Sequence, residues 1–218
     1  MSENNEPKRI KVWDPVVRIG HWVIVAGVLI AYLAGDDAKG IHVIAGYVVA
    51  GAVLIRILWG LIGTRHARFA SFPVRFSSVA GYLGGLLRGK APRYIGHNPA
   101  GSVMIIALLF SLVMTTGSGL ILYAMEDGKG PLAPVIAQKE TTTSAEIPVL
   151  RAEHDEDDDE ADEYGRESAG EELVEGLHQS FTYITLALAG LHIIGVVVSS
   201  RAHGENLVRA MITGRKKA

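Results

Sequence analysis

The 218-residue chain contains no cysteine. That excludes disulfides, thiolate metal sites, iron–sulfur clusters held by this chain and the Cys-x-x-Cys-His attachment of a c-type haem. A cofactor would have to be held non-covalently, or through His, Met or carboxylate. Charge is also missing over long stretches: residues 19–35, 40–55, 94–125 and 176–200 contain no Asp, Glu, Lys or Arg. An apolar fraction of 49% does not decide the class by itself, but most of these runs are long enough to cross a hydrocarbon core about 30 Å thick. The first two extend into apolar flanks, through Val16 and Val17 and through 58–62. Four membrane spans are predicted, at about 16–35, 41–62, 101–123 and 178–200, making 1–218 a single all-α membrane domain, an integral four-helix bundle. A signal peptide is the competing reading of the first span. No small-residue cleavage site is obvious after Ile30 and three spans follow, so the span is expected to remain as an anchor.

The remaining charges sort by side. Lys8, Arg9, Lys11 and Arg18 precede the first span, six Lys and Arg and no acid fall between 61 and 94, and five follow Ser200. The opposite side, 36–39 and 126–175, holds five in all against these fifteen. The positive-inside rule then places both termini in the cytoplasm of a bacterial inner (plasma) membrane. The long outer loop, 126–175, carries seventeen Asp and Glu with "HDEDDDEADE" near its centre. So charged a segment is expected to be a solvated, flexible periplasmic excursion. The alternative is electrostatic docking of a basic soluble partner such as a c-type cytochrome. His154 in that run could join a casual metal site with its Asp neighbours, but a solvated charge run is the simpler reading. On the other side, "HARFASFPVRFSSVAGYLGGLLRGK" and "ENLVRAMITGRKK" mix apolar and basic residues, as surface-lying segments on anionic membrane lipid do. No nucleic-acid partner is expected.

Four histidines fall inside the spans. His178 and His192 are fourteen residues apart, about 21 Å along a helix and within ~40° of one face. With the N-terminus inside, His21 lies low on the first span and His42 high on the second. Depth therefore pairs His42 with His178 near the periplasmic side and His21 with His192 near the cytoplasmic side. Two facing imidazoles at each of two levels suit two b-type haems, each iron held by two histidines, because bundle cores build cofactor sites from facing helices. Gly46 and Gly195, close after His42 and His192, would let a flat macrocycle approach. Zinc prefers four ligands converging on one point, which two pairs about 21 Å apart cannot supply. Proton relay would favour intramembrane carboxylates, and the spans contain none. Arg56, fourteen residues after His42, has two readings: a partner for a haem propionate or a quinone carbonyl, and a side chain snorkelling to the headgroups.

"RIGHW", "GIHVIAGYVVAGAVLIRILWG" and the spacing of His178 and His192 resemble the prokaryotic cytochrome b561 family, which includes the b-type cytochrome subunits of nickel–iron hydrogenases. "HNPAGS" and "SSRAHGENLVRAMITGRK" resemble the hydrogenase branch more closely. The acidic loop has no match in the resemblance and reads as an insertion. The resemblance implies a four-helix cytochrome with two haems b, ligated at His21, His42, His178 and His192. Electrons would pass between the quinone pool and a redox partner, often periplasmic, such as a hydrogenase-like subunit. His66, His97 and His203 lie at helix ends and are expected to be interfacial or near propionates. A superoxide- or small-substrate:quinone oxidoreductase is one alternative, against which the acidic outer loop argues mildly. A haem-free membrane anchor of a larger complex is the other.

Overall fold

The computed structural model describes residues 9–35, 37–138 and 156–217. The middle of the acidic loop, with His154, lies outside the described residues. Four described helices are long and apolar enough to cross a membrane: α1 (Pro15–Ala34), α2 (Lys39–Ile62), α4 (Pro99–Asp127) and the 169–202 part of α5 (Glu156–Ala202). Between α2 and α4 lie a short 3-10 turn (Phe69–Ser71) and α3 (Phe76–Leu87), in the connection expected to lie along the membrane surface. Helix α6 (Leu207–Thr213) and two strands, β1 (Arg9–Lys11) and β2 (Arg215–Lys217), complete the named elements.

The helix ends follow local chemistry. Asp14 caps α1, its carboxylate accepting the Val17 N–H at 3.0 Å, with Pro15 opening the helix. A proline costs nothing there because that N–H would be unpaired anyway. Pro99 opens α4 in the same way, and the Asn98 side chain accepts from the Gly101 N–H at 2.7 Å. Helix α5 starts well before the expected span at 178 and takes in much of the acidic run.

The chain divides into two compact units, one of residues 1–111 with 185–218 and one of residues 112–184. In the first, α1 and α2 pack as an antiparallel pair. Their backbones approach so closely at Gly27 that a Cβ there would lie 2.6 Å from Val49 Cγ2. Ala45, Val49, Ala52 and Val53 are the buried stripe of α2. Buried hydroxyls of Ser111 and Thr185 share a 2.6 Å hydrogen bond between α4 and α5, which satisfies two polar groups in otherwise apolar helices. Strands β1 and β2 pair antiparallel, Ile10 opposite Lys216. The Val12 and Trp13 N–H groups continue the pairing onto the Gly214 carbonyl, and Arg18 donates to the Ile212 carbonyl. Both ends of the described chain therefore meet on one side, over a small core of Val12, Trp13 and Ala210. The second unit holds the last part of α4, the helical residues 133–138 and the first part of α5.

Candidate functional site

His21 is on the second turn of α1, and His192 is on the part of α5 that belongs to the same unit. Their rings stand 6.4 Å apart, centre to centre, with planes inclined by 52°. Trp22 meets the His21 ring edge-on at 5.1 Å. The His21 Nδ1 atom is buried and has no hydrogen-bond partner. A polar atom buried in this way is costly unless something else satisfies it.

His42 and His178 belong to different units, and each has its own backbone partner. His42 Nδ1 lies 2.9 Å from the Ala31 carbonyl, across the α1–α2 turn. His178 Nδ1 lies 2.9 Å from the Thr115 carbonyl and 3.3 Å from Ser118 Oγ, both on α4. A carbonyl can only accept, so Nδ1 carries the proton in both rings and Nε2 becomes the basic nitrogen. Nothing lies within 4 Å of a Cβ built on Gly46 or Gly195.

Arg56 is 9% exposed. Its guanidinium donates to the Ala67 carbonyl at 3.3 Å and lies over the Phe69 ring, 5.1 Å from its centroid. The long side chain is thus turned into the 64–72 connection and not extended past it. Beside it, Asp14 accepts from Trp59 Nε1 at 3.1 Å and from Thr64 Oγ1 at 2.6 Å, joining the start of α1 to the end of α2. Burial alone would raise the Asp14 carboxyl. Hydrogen bonds from Thr64, the Val17 N–H and Trp59 together outweigh it and hold the group below its usual value.

His97, just before α4, is packed between Trp13 and Phe72, with ring centres 4.6 and 4.5 Å away. Burial, with the charges of Arg56 and Lys216 and His66 nearby, lowers it to about 3, so the ring is neutral. It lines a cleft of about 320 Å³ with His66, Tyr94 and Gly96. His203 Nε2 lies 3.3 Å from the Pro92 carbonyl. Among the described residues, no three His, Asp or Glu side chains gather as a compact metal cluster would require.

Of the five residues singled out by sequence, His21 and His192 are brought together. His42 and His178 are each oriented by a carbonyl on another helix, and Arg56 is buried against its own connection. Sequence reasoning passed over Asp14, Thr115, Ser118 and Gly119. The signal for the last three is "TTGSG", a polar and small run inside a span otherwise rich in Leu, Ile and Val.

Four helices long and apolar enough to cross a membrane, three of them carrying half-buried histidines, define a multi-pass membrane protein. The chain belongs to the prokaryotic cytochrome b561 family, whose model matches residues 12–214. It is similar to a probable Ni/Fe-hydrogenase B-type cytochrome subunit of Azotobacter chroococcum mcd 1, with 28% identity over 57% of this chain and 63% of that protein. Proteins of the same description in Azotobacter vinelandii and Rhizobium leguminosarum bv. viciae are 27% and 26% identical, over 53% and 57% of this chain and 60% and 64% of theirs. The chain thus spans less than two thirds of the length of these curated relatives. No solved structure matches it.

Proposed function

We propose that this protein is a dihaem b-type cytochrome of the bacterial inner membrane, passing electrons between the quinone pool and a redox partner. The observation that carries the reading is the 6.4 Å separation of the His21 and His192 rings. A metal–imidazole bond is about 2 Å, and each ring centre lies roughly 1 Å behind its nitrogen, so two imidazoles across one metal ion stand roughly 6 Å apart. The unpartnered, buried Nδ1 of His21 supports a bound group in the same region.

His21 and His192 would hold one haem, and His42 and His178 the other. Bound haem supplies one-electron redox chemistry, and the protein tunes it through ligand orientation, burial and nearby charge. The Ala31 and Thr115 carbonyls select the ring tautomer that presents Nε2 to a metal. Arg56 adds a buried positive charge on α2 at the end where the termini meet. Membership of the cytochrome b561 family supports haem b, and the names of the relatives support a hydrogenase-like partner. The positive-inside bias supports cytoplasmic termini, in keeping with the pairing of β1 with β2. The acidic 126–175 loop would then face the periplasm, where it could steer a soluble redox protein.

Purified protein in detergent should show a low-spin b-type spectrum with about two haems per chain. A colourless protein would refute the reading.

A further inference from the structure

We infer that α4, which contributes no histidine of its own, carries a seat that positions His178, built from the Thr115 carbonyl, Ser118 and Gly119. The inference rests on the proposed function, in which His178 would help hold a haem, and names residues that set its orientation and donor strength.

His178 Nδ1 is 2.9 Å from the Thr115 carbonyl and 3.3 Å from Ser118 Oγ. The single Nδ1 proton is shared between the two oxygens. Ser118 can accept it because its own hydroxyl proton is spent on the Met114 carbonyl, at 2.7 Å. On the His178 side, Thr182 Oγ1 donates to the His178 carbonyl at 2.8 Å, which fixes the backbone beneath the ring.

Gly119 makes the approach possible. A Cβ at that position would lie 2.9 Å from His178 Cε1 and 3.2 Å from Nδ1, so any side chain would push the ring off its acceptors. Gly117, two residues earlier on the same helix, has nothing within 4 Å of an added Cβ. The requirement for glycine is therefore local to the ring and not a property of the helix.

Two acceptors on Nδ1–H push electron density toward Nε2 and raise its basicity, which is how outer hydrogen bonds tune a ligating imidazole. A more basic ligand favours the oxidised metal. The seat should accordingly hold one haem at a lower potential than the same histidine would give without it. His21 offers a contrast, since its Nδ1 has no partner at all.

The test is a redox titration with low-temperature EPR on full-length protein carrying Ser118→Ala, Gly119→Ala or Gly117→Ala. Ser118→Ala should move one haem's potential upward and leave the other in place. Gly119→Ala should change the EPR signal of that same haem or lower its occupancy, taking the content from about two haems toward about one. Gly117→Ala should match wild type. The inference is overturned if Ser118→Ala and Gly119→Ala both match wild type, or if Gly117→Ala shifts the signal as far as Gly119→Ala does. Should Gly119→Ala not fold, the potential of Ser118→Ala decides. A wild type without haem would overturn the proposed function and the seat together, whereas a dihaem wild type with indifferent variants overturns the seat alone.

Discussion

The rings of His21 and His192 face each other at 6.4 Å from two helices that are joined only through the rest of the chain. In the proposed dihaem cytochrome each supplies one of the two ligands of a single haem, and neither helix offers a second histidine at that level. His21→Ala and His192→Ala should therefore have the same effect, each removing one haem and leaving a b-type spectrum of about half the wild-type amplitude. Pyridine haemochrome content measured against protein concentration checks this. Loss of all haem from either variant would mean that the two sites form as one unit.

His97 links stability to pH. Its imidazole is lowered from 6.5 to about 3, by burial first and then by the charges of Arg56 and Lys216 and by His66. The folded protein keeps the ring neutral, while the unfolded chain takes up a proton below about pH 6.5. Stability attributable to this group is therefore fully present above that pH and is lost progressively as pH falls toward 3. At pH 5 the loss is on the order of 2 kcal/mol. His97→Phe keeps a ring against Trp13 and Phe72 but removes the titration. Its unfolding midpoint in detergent should fall less between pH 7 and pH 5 than that of wild type.

Much of the fold was legible because membrane spans are written in residues that are absent. The uncharged runs, with their apolar flanks, fall on α1, α2 and α4. Depth, counted at a fixed rise per residue, brings His21 level with His192. What could not be read are contacts set by packing between distant segments. Nothing near Arg56 in sequence points to the Ala67 carbonyl, and Asp14 finds Trp59 and Thr64 only once α1 and α2 are side by side. Helix α5 continues upstream of the uncharged run, because such a run marks only the apolar part of a helix and not where the helix begins. The His178 seat depends on a backbone carbonyl, which no side chain announces.

Glu205 and Lys216 make an asymmetric pair. Both side chains are almost fully buried, with Nζ 3.4 Å from the carboxylate. Lys216 also donates to the Tyr94 and Ile95 carbonyls, and Glu205 also accepts from Arg93 Nε at 2.6 Å. Removing the lysine leaves the carboxylate with Arg93. Removing the carboxylate leaves a buried ammonium with neutral carbonyls alone. Glu205→Ala should cost about 3–5 kcal/mol, the usual penalty for stranding one buried charge. Lys216→Met should cost about 1–2 kcal/mol, as lost hydrogen bonds do. Denaturation of the two variants in the same detergent measures the difference, and equal losses would show that Arg93 does not hold Glu205.

The absence of cysteine permits a direct test of orientation, because a single introduced thiol reports without background. Pairing of Arg9–Lys11 with Arg215–Lys217 requires that the two ends of the membrane domain share a side. Lys11 and Arg209 are exposed at that end, and Val135, after α4, is 64% exposed. With the basic side inward, Lys11→Cys and Arg209→Cys should resist a membrane-impermeant maleimide in intact cells and react after permeabilisation. Val135→Cys should react in intact cells. The reverse pattern would invert the orientation. A split between Lys11→Cys and Arg209→Cys would be more consequential, because no placement of the spans could then keep β1 paired with β2.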